Sequence, residues 1–356
     1  MFRRLLNGLI LALTASALVL TGALCDDLWQ RRTPNTFSDP RVPLYWYWNT
    51  NAAPRDVDPR LASATTDLIR FFDTGDRDAL ERARGLYHAV IPSLTVGTEY
   101  PALEWICEYF LASESEKSRL LANPEGARLL WYFSQSRFHE LVQLLRVKVR
   151  LAPAASIGGL EGVRSAVQYL AFMRPSRADW EHTDQLMAAI DLKRGQHVAD
   201  IGCGPGFHSL RFSDRVGDTG MVYAVETNPR HLEFLRVITE REKRTNIKRV
   251  LCPFDDVGIA ANTLDCAFVC SLYHAIYGAM PSGLREPIIA SLRRAIKPGG
   301  RFIICDNTPY VQNDSNYFGN RISRYLVEDH LSQYGFRLVR YYQLASQRYL
   351  LIFVRQ

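Results

Sequence analysis

No C-x-x-C pair and no cysteine/histidine spacing of the zinc-binding kind occurs in this 356-residue chain. The seven cysteines (Cys25, Cys107, Cys203, Cys252, Cys266, Cys270 and Cys305) are scattered and odd in number. That argues against a disulfide framework and against a structural metal, so no metal ligands are assigned. Cys266 and Cys270, four apart in a strand-like run, are expected to share a buried face as small hydrophobes. Charge of one sign is also in short supply. A net charge of +6 permits an anionic partner without arguing for one. The basic run "REKRTNIKR" (241–249) has no interleaved aromatics and reads as solvated surface, so no nucleic-acid partner is expected. The first half of the chain carries no catalytic signature. Glu104, Glu108 and His139 fit a solvated or locally satisfied helix face better than a ligand set.

Long apolar runs are confined to the N-terminus. Arg3 and Arg4 precede an uncharged stretch from Leu5 to Leu24, followed by Asp26 and Asp27. About 20 such residues can span a bilayer, and Thr21 and Ala23 also suit a signal-peptide cleavage site. Residues 1–25 are therefore expected to anchor or export the chain, which makes it membrane-associated. The charges flanking the stretch leave open whether the rest is cytoplasmic or exported. Residues 26–60, rich in proline and aromatics, read as a linker, with Tyr45, Trp46, Tyr47 and Trp48 suited to a membrane interface or to a packed flap.

Apolar residues at three- and four-residue spacing predict a helical domain over 61–151, with Asn123 as an N-cap and Pro124 in the first helical position. "LAPAASIGGLEG" marks a hinge within 152–164. From 165 to 356 strand-like and helix-like segments alternate. This predicts an α/β fold: a doubly wound, mostly parallel seven-stranded sheet closed by an antiparallel hairpin from "FRLVRYYQL" and "RYLLIFVR". Ligands of such sheets sit at the carboxyl ends of the strands.

The first of those ends reads "VADIGCGPGFHS" (198–209), with glycines at 202, 204 and 206. Glycine admits positive φ and lets a ligand lie against bare backbone, and the amides of the following helix face it. Glu226 ends the second strand, where an acid can accept both hydroxyls of a ribose. A dinucleotide turn needs G-x-G-x-x-G, but Phe207 stands where the third glycine would be, which disfavours a nicotinamide-dependent oxidoreductase.

"VADIGCGPG", Glu226, "TLDCAFVCSLYHAI" and "RAIKPGGRFIICD", in that order, resemble the motifs of class I S-adenosylmethionine-dependent methyltransferases over roughly 165–356. "RPSRADWEHTDQLMAAIDLKRGQHVADIG" and "VLCPFDDVGIAANTLD" narrow the resemblance to an often secreted or membrane-associated bacterial subgroup. That subgroup carries an acid where Ser271 stands and often a histidine where Ala275 stands. The resemblance implies S-adenosylmethionine as cofactor. By it, Asp200 contacts the cofactor's amino group, and Gly202, Cys203, Gly204 and Gly206 line its methionine portion. Glu226 holds the ribose, Thr227 and Asn228 flank the adenine, and Phe254 with Asp255 or Asp256 covers the ring and binds its amine. Ser271, Leu272 and Tyr273 close the near side, and His274, with Tyr273 beside it, is the candidate catalytic base, the alternative being a structural or substrate-shaping histidine. His208 is expected to pack or cap, and Arg177 to meet the cofactor carboxylate or a surface acid. "DNTPY" (306–310) lacks a proline of the Asn-Pro-Pro-Tyr motif of amino-methylating enzymes and follows the fifth strand instead of the fourth. The expected reaction is methyl transfer to a small or lipid-like acceptor. The alternative is a non-catalytic cofactor-binding scaffold working through its helical half.

Overall fold

The computed structural model describes residues 45–46, 58–94, 98–134, 138–278, 280, 282–309, 321–345 and 348–356. The apolar stretch expected to anchor or target the chain, and most of the linker after it, lie outside them. Among the described residues no helix is long and apolar enough to cross a membrane. Of the aromatic run, Tyr45 and Trp46 pair antiparallel with Ile322 and Arg321.

Among the described residues, six helices fill the first half: α1 (Pro59–Thr74), α2 (Arg77–Val90), α3 (Tyr100–Leu111), α4 (Glu114–Leu120), α5 (Pro124–Ser134) and α6 (Phe138–Lys148). Their starts follow local chemistry. Asp58 accepts the amide of Arg60 at 2.9 Å with Pro59 in the first helical position, and Asn123 accepts that of Gly126 at 3.0 Å ahead of Pro124. Both supply an acceptor to amides that have no partner within the helix. Residues 152–164, expected as a hinge, hold a 3₁₀ turn over Ala154–Ile157 and the start of α7 (Gly159–Phe172). Two short helices follow, α8 (Arg177–Trp180) and α9 (Thr183–Ile190).

The sheet then forms from β1 (His197–Ile201), β2 (Met221–Glu226), β3 (Ile247–Leu251), β4 (Leu264–Cys270), β5 (Ile296–Asn307), β6 (Phe336–Ala345) and β7 (Arg348–Arg355). Its order is β3-β2-β1-β4-β5-β7-β6. The first five strands run parallel, and β7 is antiparallel to both neighbours. Strand order reverses between β1 and β4, which opens a crevice at their carboxyl ends. Alternate residues of each strand face opposite sides. Val198, Phe268 and Ile352 join one apolar core, while Ala199, Val269 and Phe353 join the other. Cys266 and Cys270 share the first of these faces. Helices α10 (Phe207–Val216) and α11 (Pro229–Arg241) cover that side, and α12 (Tyr273–Gly278), α13 (Ser282–Ala295) and α14 (Arg324–Ser332) cover the other.

Among the described residues the helical half has no separate core. Its buried residues form one continuous cluster with the first face of the sheet. The Tyr132 ring of α5 stands 4.4 Å from that of Phe234 on α11, and Tyr169 of α7 stands 4.9 Å from the same ring. Arg128 meets Glu242 at 2.6 Å, and Arg211 of α10 meets the buried Glu125 at 2.7 Å. Each large side chain uncovered forgoes roughly 1.5–3 kcal/mol. A fragment beginning at residue 151 is therefore expected to lose its cooperative urea transition and near-ultraviolet circular dichroism. A sharp transition at the full-length midpoint would show that the sheet half is self-sufficient.

Candidate active site

The chain leaves β1 at Ile201 and turns through Gly202–Gly206 into α10. The amides of Gly202 and Cys203 donate to the Val225 carbonyl at 2.8 and 3.0 Å, pinning the loop against the end of β2. Gly206 adopts φ +96°, and a Cβ there would meet Leu235 Cδ1 at 2.5 Å. Gly204, at φ +54°, has only Phe172 Cδ2 nearby, 3.6 Å from such a Cβ. The two positions therefore separate strain from crowding. Gly206→Val is expected to cost roughly 2–4 kcal/mol, combining the left-handed backbone with a clash against a buried leucine. Gly204→Ala is expected to cost about 1 kcal/mol from backbone strain. Urea midpoints of the two variants check the order.

Glu226, at the end of β2, is fixed by backbone. Its Oε2 accepts Gly204 N–H at 2.8 Å, and its Oε1 accepts Thr227 and Asn228 N–H at 2.7 and 3.0 Å. His231 Nδ1 lies 3.4 Å from Oε2, close enough for an ion pair but outside hydrogen-bond geometry. Burial pushes this carboxyl up. His231 and the backbone amides outweigh burial and hold it below the usual carboxylate range.

Loop and carboxylate open onto a cavity of about 440 Å³, a volume typical of small-molecule sites. Pro253 and Phe254 form one lip, with Phe254 57% exposed, while Leu272, Ile276 and Met280 supply an apolar wall. Ser271, at φ +50°, marks the end of β4.

A buried charge cluster forms the remaining wall. Glu181 and Arg348 are both about 1% exposed and 3.4 Å apart. Glu181 also meets Arg177 at 3.3 Å and accepts from His208 Nε2 at 2.9 Å. One Arg348 amino group donates to Cys270 Sγ at 3.0 Å, Cys305 Sγ at 3.2 Å and Ser271 Oγ at 3.2 Å. Burial opposes ionisation of Glu181, but Arg177, His208 and Arg348 together hold its carboxyl well below the usual range. Glu181, His208 and Cys270 present ligand atoms within 4.8 Å of one another, as a metal site would. The Arg348 guanidinium touches two of the three, so a fixed cation already holds that place.

Of the residues expected to hold the cofactor, Gly202, Cys203, Gly204, Glu226, Thr227, Phe254 and Ser271 line this cavity. Others do not, and each has a physical reason. Asp200 lies behind the loop, where it accepts Ser209 Oγ at 2.6 Å and burial raises its carboxyl pKa. Gly206 backs onto Leu235. Asn228 caps α11 by accepting Arg230 N–H and donates to Ser165. Asp256 pairs with Arg294 on the surface, and Asp255 is exposed.

The expected catalytic pair, Tyr273 and His274, lies away from the cavity. Tyr273 is fully buried, with its hydroxyl 2.7 Å from His330 Nδ1. His274 turns to Asp306, which takes both its ring Nδ1, at 2.9 Å, and its backbone N–H. Neither lines the cavity, because α12 begins at Tyr273 and carries both side chains into the other face of the sheet. The histidines on the cavity wall, among the described residues, are His208 and His231.

Residues 192–337 match a family model described as a methyltransferase domain. Over those residues the chain carries a methyltransferase domain. A curated relative is the protein-L-isoaspartate O-methyltransferase of Methanothrix thermoacetophila, 28% identical over 32% of this chain and 49% of that protein. Another is a ubiquinone/menaquinone biosynthesis C-methyltransferase of Haemophilus ducreyi, 29% identical over 32% of this chain and 42% of that protein. The chain thus spans about half the length of the curated relatives it matches. A solved SAM-dependent methyltransferase from Aquifex aeolicus is 20% identical, with a TM-score of 0.46 over 51% of this chain and 94% of its own.

The matched region begins at residue 192, just ahead of β1, and part of the cavity wall lies upstream of it. Arg174, Arg177, Trp180 and Glu181 come from the turn and helix before the matched region. The charged, aromatic run "RPSRADWE" is the sequence signal that could have marked them as a group. Arg348 carries no such signal.

Proposed function

We propose that this chain transfers a methyl group from S-adenosylmethionine to a small-molecule acceptor bound in the same cavity. The observation that carries this reading is the joint placement of Glu226 and the glycine loop on one wall: a carboxylate already oriented by three backbone amides, beside glycine backbone with no side chain to fill the space. Glu226 would accept the ribose hydroxyls, Gly202 to Gly204 would lie along the methionine portion, and Phe254 would cover the adenine. The bound cofactor supplies an electrophilic methyl on a positively charged sulfur, and its displacement in line needs position more than acid–base help. The apolar wall at Leu272, Ile276 and Met280 excludes water and gives the acceptor's carbon skeleton a surface. Where the acceptor atom carries a proton, His208, held by Glu181 on the cavity wall, is the candidate base in place of His274.

The test uses the full chain. Calorimetric titration should show binding of both S-adenosylmethionine and S-adenosylhomocysteine. Incubation with candidate acceptors should then convert the first into the second, read by mass spectrometry. Binding without conversion across carboxylated, phosphorylated and neutral acceptors would favour the scaffold alternative. Absence of binding by folded protein would sink the reading.

A further inference from the structure

The arginine wall is oversupplied with positive charge. Three guanidiniums, Arg174, Arg177 and Arg348, line the cavity, and among the described residues Glu181 is the carboxylate that pairs with two of them. Arg177 and Arg348 both lean on it. Arg174 does not: its side chain is 4% exposed, its guanidinium makes no hydrogen bond or ion pair among the described residues, and it stacks 5.2 Å from the Trp180 ring. Arg348 lies 5.4 Å from the same ring, so Trp180 carries a cation close by on two accounts. Burial, with Arg177 adding to it, brings the Arg174 pKa down to about 10, and the more distant charge of Glu181 offsets only part of that fall. Glu226 makes no ion pair with Arg174: its oxygens face the amides of Gly204, Thr227 and Asn228 at the end of β2.

Binding the cofactor would make the imbalance worse. At neutral pH S-adenosylmethionine brings a sulfonium, an ammonium and a single carboxylate. That carboxylate can answer one guanidinium, but the molecule still adds net positive charge to the same space. Even with Asp200 counted as ionised behind the loop, the loaded cavity keeps a cationic excess. A buried charge without a partner is costly, and the remedy is a ligand of opposite sign.

We propose that the methyl acceptor is itself an anion, a small molecule whose carboxylate or phosphate group docks on Arg174 beside Trp180 with its apolar part against Leu272, Ile276 and Met280. This rests on the cavity's being the site of methyl transfer. Guanidinium binds both anions through paired N–H donors, so the shared chemistry is a planar or tetrahedral oxyanion. A metal cation is disfavoured by the same arginines.

The experiment titrates inorganic pyrophosphate and, separately, benzoate into the full chain, free and saturated with S-adenosylhomocysteine, for the wild type and for Arg174→Gln. Calorimetry should show at least one anion binding to the saturated wild type and binding at least tenfold more weakly to the variant, while S-adenosylhomocysteine affinity changes less than threefold. Among the described residues Arg174 has no hydrogen-bond or ion-pair partner to strand, so the variant should fold with an unchanged or higher unfolding midpoint. If the variant loses tenfold in S-adenosylhomocysteine affinity with no anion binding in either protein, Arg174 serves the cofactor's own carboxylate and the proposal is overturned. No anion binding to the saturated wild type overturns it as well. If S-adenosylhomocysteine does not bind at all, the methyl-transfer reading fails. Arg174-dependent anion binding by the free protein would then keep the oxyanion site on its own footing.

Discussion

Glu226→Ala should weaken S-adenosylmethionine binding by roughly 10- to 100-fold in a calorimetric titration of the full chain, because each hydrogen bond to a charged group contributes about 1.5–3 kcal/mol. Two effects combine. The ribose hydroxyls lose their acceptor, and the Gly204, Thr227 and Asn228 amides lose the group that orders them. Glu226→Gln keeps the shape and one oxygen, so it should fall between wild type and alanine. The apo unfolding midpoint, measured alongside, separates a lost contact from a collapsed loop. Affinity within twofold of wild type in a folded Glu226→Ala variant would remove this residue from the site. The pH dependence has a definite sign. His231 and the amides outweigh burial and hold the carboxyl below its ordinary range, so its contribution is complete above about pH 4.3 and is lost as pH falls through the depressed value. Cofactor affinity, so far as Glu226 governs it, should be flat from pH 8 to about 5.

Glu181→Ala should cost more stability than any other single change in the cavity. Removing one partner of a buried ion pair typically costs roughly 3–5 kcal/mol. Here the loss strands Arg177, Arg348 and His208 together, in a site where Glu181 and Arg348 are each about 1% exposed. A urea midpoint shift worth less than about 1 kcal/mol would mean that solvent reaches the cluster. The double variant with Arg174→Gln should recover part of the loss, because one fewer uncompensated cation remains, and non-additivity of roughly 0.5 kcal/mol or more is the reading to look for. The sign with pH matches that of Glu226: a carboxyl held well below its ordinary value stabilises fully above about pH 4.3, and its share is lost as pH falls further.

Much of the fold was legible because its signals are local. Strand and helix periodicities, the caps at Asn123 and Pro124, and the closing hairpin are written in neighbouring residues. The glycine loop and Glu226 share that property: one strand end and its turn place the loop, and the next strand end places the acid that binds its amide. The choice between Gly204 and Gly206 as the crowded position needed Leu235, which lies on the next helix.

The rest depended on elements distant in the chain. His274 follows the fourth strand as a catalytic residue would, yet a buried acid on β5, Asp306, captures it, and no local pattern announces that contact. The helical half looked separate because its periodicity is helical throughout. Its aromatic residues nevertheless find their partners on α11, and burial of apolar area does not respect a change of sequence texture. The charge wall is the clearest case. Glu181 precedes the first strand, His208 opens the helix after it, Cys270 ends the fourth and Arg348 begins the last, 167 positions from Glu181. By itself the sequence determined a parallel sheet and a glycine turn at the end of its first strand, because periodicity, caps and turns act over a few residues. Only the tertiary structure decided which charges face each other, because Coulomb interaction depends on distance in space and on the exclusion of water, and both come from the packing of the whole chain.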